Sequence, residues 1–229
     1  SKKMILASLI LLTLNLCLFY FHNNLYKVNY PVDHPNKRKI HSKKVLLSGG
    51  LFFFLNILFF LIINSFIDLE FSIFSKSNTD NFFFFSAIIF FFLGFADDKI
   101  NLNPNLKLII IILILSFFLY LNEYFVIEFL RFSFIDESIY LGKYSFFFTI
   151  LCLSLFINAF NMYDGINLQS GSYSLIIFIF FLLNSYNVYF SVIFIFSLIL
   201  FMIKNFKSNS FLGDNGCYIL SFIIGIFII

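Results

Sequence analysis

Long runs of apolar residues, rather than amphipathic stripes, constrain the fold of this chain more than any other feature. Hydrophobic residues fill 61% of its 229 positions and charged residues only 12%, about half the charged fraction of a soluble domain. The solvent for runs of this kind is lipid. The sequence therefore predicts an all-α, polytopic membrane helix bundle, built as one integral-membrane domain over residues 1–229.

The apolar runs divide the chain into about eight predicted transmembrane spans. The third and sixth are shorter than the roughly 20 residues that cross a bilayer, so we expect them to lie among neighbouring helices or to begin in interfacial turns. The first span has no small-residue cleavage site after it, so it is interpreted as a helix and not as a signal peptide. The predicted spans are 4–21, 46–67, 82–96, 106–121, 144–162, 171–184, 187–204 and 217–229.

The connections between the predicted spans are numbered in chain order, and the polar residues that are unusual for a membrane protein all lie in odd-numbered ones. Because successive spans cross the membrane in opposite directions, all odd-numbered connections lie on the same side. Ten of the fifteen Lys and Arg residues lie on that side. By the positive-inside rule this side is cytoplasmic and the N-terminus is outside, although Lys2 and Lys3 argue mildly against it. On the opposite side, β-prone runs in residues 122–143 predict a short β-hairpin on the outer face.

One polar stretch, residues 158–167, ends the fifth span. Asn158, Asn161 and Asp164 recur at spacings of three, which keeps their side chains on one face of a helix. Amides and a carboxylate at the end of a membrane helix are costly unless they have a function.

Two adjacent carboxylates, Asp97 and Asp98, end the third span. They cannot share one helix face, so each needs a separate partner. The alternative is a solvated helix end with Lys99 as the counter-charge, but an acid at a helix C-terminus opposes the macrodipole.

The fourth span follows closely, and Asn103 and Pro104 are predicted to be its N-cap and first helical residue. Lys107 lies in its first turn, where the dipole disfavours a cation, so we expect an anionic partner.

Two further features lie on the same predicted side. Asp214 stands in a Gly-Asp-Asn-Gly sequence, which is by itself an ordinary turn before an apolar run. Residues 22–45 form a basic loop whose simplest interpretation is attraction to anionic lipid headgroups. The paired glycines that follow, Gly49 and Gly50, permit close approach either of a phosphate or of a neighbouring helix.

Carboxylates, amides and cations on one membrane face suggest a common chemistry. Oxygen ligands of this kind suit Mg²⁺, which keeps waters and substrate phosphates in its coordination shell, and the basic groups suit the phosphates. The combination predicts phosphoryl transfer at the membrane surface.

The motifs also resemble a known family, the polyprenyl-phosphate N-acetylhexosamine-1-phosphate transferases of glycosyltransferase family 4. The Arg-Lys-x-His form in the first connection is more similar to the N-acetylglucosamine branch than to the muramoyl-pentapeptide branch. Four motifs carry the resemblance in the family's order: Asp33-x-Pro-x-x-Arg38-Lys-x-His41 with Gly49-Gly50, Leu93-Gly-Phe-Ala-Asp97-Asp98-Lys99, Asn158-x-x-Asn161-x-x-Asp164-Gly165, and Phe211-x-Gly213-Asp214-x-Gly216.

The resemblance implies transfer of a sugar-1-phosphate from a UDP-amino sugar to a polyprenyl phosphate, with Mg²⁺ (or Mn²⁺) as cofactor and release of UMP. It places the enzyme in the plasma (inner) membrane with its site on the cytoplasmic face, as the first membrane step of envelope polysaccharide synthesis. No nucleic-acid partner is expected, and a homodimer is left open.

By motif match, Asp97 is the expected base or activator of the lipid phosphate, with Asp98 in support. The expected metal ligands are Asp214 and Asp164. The substrate-binding residues that the resemblance implies are Asn158, Asn161, Asn167, Lys107, Arg38, His41, Gly49 and Gly50.

The chain departs from the family pattern in two places. Asn167 stands where the family often has an aspartate, which removes one charge. The sequence also stops at Ile229, within the eighth span, so the resemblance predicts that a later His-bearing loop and the final helices are missing. Two other hypotheses remain at this point, a secondary transporter and an inactive membrane scaffold.

Overall fold

Eight α-helices make up most of the protein in a computed structural model that describes residues 2–35, 42–67, 73–74, 77–134, 137–184 and 187–229. Short 3₁₀ turns at His22–Val28, Glu123–Phe125 and Gly142–Tyr144 lead into or out of them. The helices are α1 (Lys2–Phe21), α2 (Gly49–Ile67), α3 (Ser77–Ile100), α4 (Pro104–Leu121), α5 (Ser145–Tyr163), α6 (Gln169–Leu183), α7 (Val188–Phe206) and α8 (Gly213–Ile228).

The helical membrane architecture agrees with the sequence prediction, but the predicted number of about eight spans is not confirmed. Within the described residues, five helical segments are long and apolar enough to cross a membrane. Helices α2, α6 and α8 contribute shorter apolar segments of 15 or 16 residues. The five segments are Ile5–Val28, Asn78–Ile100, Pro104–Leu121, Gly142–Tyr163 and Val188–Phe206.

The third helix is the clearest departure from the predicted lengths. It runs for 24 residues from Ser77 to Ile100, so the prediction of a short third span is wrong. In its polar first turn, the Asp80 carboxylate accepts hydrogen bonds from the amides of Ile73 and Phe74, which precede the helix, at 2.9 and 3.0 Å. The sixth helix is short, as predicted, with 15 residues.

Among the residues that the structure describes, four two-residue strands accompany the helices. In residues 122–143, β3 (Phe129–Leu130) pairs antiparallel with β4 (Ile139–Tyr140), where the sequence predicted a hairpin. The first connection contains a pair that was not predicted, β1 (Val32–Asp33) with β2 (Val45–Leu46). The second span therefore does not start at residue 46, because Val45–Leu46 is strand and the helix begins at Gly49.

Helix α8 is the centre of the bundle and packs against α2, α3, α5 and α6. Every residue from Asn215 to Ile226 is buried. A helix that is apolar on all sides belongs either in a protein core or in lipid, and α8 is in the core. Helix α4, in contrast, leaves Leu106, Ile109 and Leu113 exposed at the periphery.

The N-terminus of α8 lies inside the protein and is capped by a side chain from another helix. Its own N-cap residue, Leu212, offers no side-chain acceptor. Instead, the Asp98 carboxylate at the end of α3 accepts the amides of Asp214 and Asn215 at 2.9 and 3.1 Å, and also the Asn215 side chain. This bonding satisfies free helix-end donors and places an anion at the positive end of the dipole.

Because of this cap, the eighth helix begins earlier than the sequence predicted. It starts at Gly213 and not at residue 217. Asp214 therefore lies in the first helical turn and not in a tight turn before the helix, so its side chain shares a face with residues three and four positions later.

Two glycines allow the backbones around α8 to touch. A Cβ at Gly94 of α3 would overlap the backbone of Asp214 and Asn215, and a Cβ at Gly50 of α2 would lie 2.6 Å from the amide of Gly216. Small residues permit this close approach between membrane helices. The first turn of α8 is therefore held between α2 and α3.

A buried polar cluster joins α1, α2 and α7. The amide of Asn56 donates to Asn15 at 3.0 Å and to Ser197 at 2.7 Å, and Asn15 donates back to Asn56 at 2.8 Å. Side-chain hydrogen bonds of this kind connect membrane helices that have no hydrophobic force between them. The cluster explains how the lipid-exposed α1 is attached to the bundle.

We predict that Gly94→Ala destabilises the protein, because the added methyl group meets backbone that cannot move without displacing α8. Overpacking of this kind costs about 1–3 kcal/mol, so the midpoint of thermal unfolding in detergent should fall. Gly165→Ala is the matched control, since a Cβ there meets no atom within 4 Å. Equal midpoints for the two variants would contradict the proposed contact.

We also predict that Asp98→Ala destabilises the protein by more than about 2 kcal/mol, because it leaves several donors of the α8 terminus unsatisfied. Thermal unfolding measures this loss. The control is Glu128→Ala, which removes an exposed carboxylate from the residue just before β3 and should leave the midpoint unchanged. A similar small effect of both substitutions would exclude the capping role of Asp98.

Candidate active site

The first two turns of α8 bring together carboxylates from three helices. The buried thiol of Cys217 lies close to the carboxyls of Asp164, Asp214 and Asp98. Because these acids come from the ends of α5 and α3 and from the start of α8, the third, fifth and seventh connections meet at one end of the bundle. The sequence had placed them on one membrane side.

Asp97 is the most completely bonded of these acids. Its Oδ1 accepts the amide of Leu102 at 2.9 Å. Its Oδ2 forms an ion pair with Lys107 Nζ at 2.6 Å and accepts the hydroxyl of Tyr218 at 3.3 Å. The side chain of Asp97 is buried, with 2% exposure, so these contacts compensate for the loss of water.

The sequence required separate partners for the two adjacent acids, and the structure provides them. Asp97 faces Lys107 and Tyr218, whereas Asp98 caps α8. Lys107 has the anionic partner that its position in the first turn of α4 suggested. Asn103 is the N-cap of α4, and its side chain accepts the amide of Asn105 at 2.9 Å.

The central feature of the site is a direct contact between two carboxyl groups. The carboxyl groups of Asp97 and Asp214 lie close enough together to share a hydrogen bond when one of them is protonated. Two ionised carboxylates at this separation repel, so one must carry a proton or a cation must lie between them. A close carboxyl pair of this kind can hold a divalent cation or move a proton.

Asp164 has its own set of partners beyond the C-terminus of α5. It accepts hydrogen bonds from the hydroxyl of Ser170, at the start of α6, and from the thiol of Cys217. Burial raises the pKa of Asp164, while these two hydrogen bonds oppose that rise. The bonds thus help to keep a buried carboxylate ionised.

The three predicted amides lie near Asp164 but are not equivalent. Asn158 donates to the backbone carbonyl of Ser154 at 2.9 Å within its own helix. Asn167 is exposed and donates to Ser208 at 2.9 Å, so it joins the fifth connection to the seventh. Asn161 is half-buried one turn before Asp164.

The remaining predicted site residues come from the first connection and the start of α2. Arg38 and His41 lie outside the described residues. A Cβ at Gly49 would lie 2.7 Å from the Cα of Leu212, and one at Gly50 would overlap Asn215. Of the two alternatives for these glycines, the described contacts show close approach of a neighbouring helix.

Several residues around the acids were missed in the sequence. Cys217 and Tyr218 follow Asp214 at helical spacing, but this signal was lost because the helix was predicted to begin at residue 217. Ser170 gave no sequence signal beyond its short distance along the chain from Asp164. Tyr30 is the fourth missed residue, and its buried hydroxyl has no hydrogen-bond partner among the described residues. Burial is the larger cause that raises the pKa of Tyr30, and the negative charge of Asp98 is the smaller one.

The donor set fits a Mg²⁺ ion that is completed by substrate. Within the described residues, no three His, Cys, Asp or Glu side chains are close enough to hold a metal by themselves. Mg²⁺ commonly uses one or two carboxylates together with water and substrate phosphates. Asp214 and Asp164, the carboxylates that the motif match assigns to a metal, would supply such a pair of ligands.

Comparison with known proteins agrees with this picture. No curated protein matches the chain. The model of the family described as Glycosyl transferase family 4 matches residues 81–229, which is more than half of the sequence. This range contains all four acids of the site and helices α4 to α8. With its helical membrane bundle and its carboxylates at one end, the chain belongs to glycosyl transferase family 4.

Proposed function

We propose that this protein transfers an N-acetylhexosamine-1-phosphate from a UDP-amino sugar to a polyprenyl phosphate and releases UMP. Membership of the family implies phospho-sugar transfer to a polyprenyl phosphate in general. The observation that supports the specific site is the contact between the carboxyls of Asp97 and Asp214, with Lys107 ion-paired beside them.

In the proposed reaction, an oxygen of the lipid phosphate attacks the phosphorus that bears the sugar. A new P–O bond to the lipid forms while the P–O bond to UMP breaks. Asp97 accepts the proton of the lipid phosphate where that phosphate still carries one, and it orients the attacking oxygen. Lys107 supplies positive charge for the oxygens that gain negative charge in the transition state.

The acids Asp214 and Asp164 are the proposed ligands of Mg²⁺ or Mn²⁺, with Asp97 adjacent. When bound, such an ion neutralises the charge of the diphosphate. Asn158, Asn161 and Asn167 are proposed to contact the nucleotide or the metal-bound waters. Asn167 in particular contributes no charge, so it influences which UDP-amino sugar is accepted.

The proposed location is the plasma membrane, with the site on the cytoplasmic face where nucleotide sugars are available. The excess of Lys and Arg on the side of the odd connections supports this orientation. A transporter is less consistent with the structure, because Asp97, Asp164 and Asp214 lie at helix ends and not near the middle of the spans.

We predict that Asp97→Asn and Asp214→Asn each lower the rate of UMP release by at least about 100-fold, the order of magnitude that a positioned acid–base or electrostatic group contributes. The assay supplies UDP-N-acetylglucosamine, polyprenyl phosphate and Mg²⁺ to the purified membrane protein. Glu128→Gln is the control and should retain the full rate. Unchanged turnover in both aspartate variants would refute the proposed mechanism.

Removal of divalent cations should abolish transfer. We expect EDTA to stop UMP release and added Mg²⁺ or Mn²⁺ to restore it, because the proposed site holds the ion with few protein ligands and exchanges it readily. Full activity after exhaustive chelation would exclude the metal from the reaction.

A further inference from the structure

We infer that Tyr218 is a positioning residue for the reaction: its hydroxyl fixes the Asp97 carboxyl in the orientation that faces Asp214. This inference rests on the proposed function. It concerns a residue of α8 that none of the four sequence motifs includes.

The first support is the burial of the phenol. Tyr218 is 1% exposed and is among the largest fully buried side chains of the protein. A buried tyrosine hydroxyl requires a hydrogen-bond partner. Its partner is Asp97 Oδ2, at 3.3 Å. This distance is long for an O–H···O bond, as catalytic contacts often are before substrate binds.

The second support is helical register. Tyr218 follows Asp214 by four residues, so both side chains lie on the same face of α8, one turn apart. Asp97 of α3 contacts both of them. Two successive turns of α8 therefore contact the Asp97 carboxyl, the first through Asp214 and the second through Tyr218.

The third support is the distribution of contacts on the Asp97 carboxyl. Oδ1 is fixed by the amide of Leu102. Oδ2 receives both Lys107 and Tyr218. Lysine is a flexible point charge, whereas the tyrosine ring is fixed by its packing. Of the contacts from Lys107 and Tyr218, the one from the Tyr218 hydroxyl therefore sets the orientation of the Asp97 carboxyl.

The alternative is that Tyr218 only fills space in the core. The aromatic ring by itself would do this, so the two explanations differ in what they assign to the hydroxyl. Tyr218→Phe separates them, because it keeps the ring and removes only the donor.

The test compares steady-state UMP release by wild type and Tyr218→Phe, with UDP-N-acetylglucosamine and polyprenyl phosphate each varied. We expect kcat to fall about tenfold or more, the equivalent of one hydrogen bond to a charged group, with KM values changed less than about twofold. Tyr189→Phe removes a hydroxyl from a half-buried tyrosine at the start of α7 and should leave both parameters unchanged. A wild-type kcat in Tyr218→Phe would overturn the inference.

A thermal double-mutant cycle provides a readout that is independent of activity. Unfolding midpoints are measured for wild type, Tyr218→Phe, Asp97→Asn and the double variant. If the hydroxyl acts on Asp97, its removal should cost less stability in the Asp97→Asn background than in wild type. Strictly additive effects would overturn the inference, even if wild type released no UMP and the proposed function itself were wrong.

Discussion

The burial of a polar helix terminus inside an apolar bundle is the constraint on which this structure depends. Helix α8 starts in the interior, where its free amides cannot reach water, and a helix end without partners is costly there. Asp98 supplies the acceptors from the last turn of α3. Once Asp98 is fixed, its neighbour Asp97 must point elsewhere, and the register of α8 places Asp214 and Tyr218 against it. The cap and the close approach of Asp97 to Asp214 are consequences of one contact between two helices.

The same contact explains why acids that repel one another remain together. In a low-dielectric interior, ionised carboxylates at Asp97 and Asp214 would repel each other strongly, and Lys107 would compensate only part of that repulsion. The stability to hold such a pair must come from elsewhere, and the close packing at Gly50 and Gly94 contributes to it. A cation bound beside the two carboxyls would relieve this repulsion. A rigid scaffold that holds incompletely neutralised carboxyls is therefore suited to bind a cation.

Sequence periodicity predicted the helical class, the hairpin of residues 122–143 and the N-cap at Asn103, because each depends on local pattern and turn chemistry. It also identified the acids, since a carboxylate in an apolar run is conspicuous. It failed for features that depend on a distant partner. The helical turn at Asp214 exists because of Asp98, more than a hundred residues away. Tyr218 likewise was indistinguishable from ordinary core until its contact with Asp97 was known.

The segment before residue 81 lies outside the family match, yet it supports the site directly. Leu46 accepts the amide of Phe211 at 2.8 Å, and the amide of Gly49 donates to Phe211 at 3.0 Å, so the first connection braces the residues that lead into α8. The side chain of Asn215 also donates to the carbonyl of Leu47 at 2.8 Å. These bonds satisfy backbone groups that α3 does not reach. The start of α8 is therefore fixed from both sides, by Asp98 on one and by the strand–helix junction of α2 on the other. A site built on residues 81–229 alone would lose the hydrogen bonds with Leu46, Leu47 and Gly49.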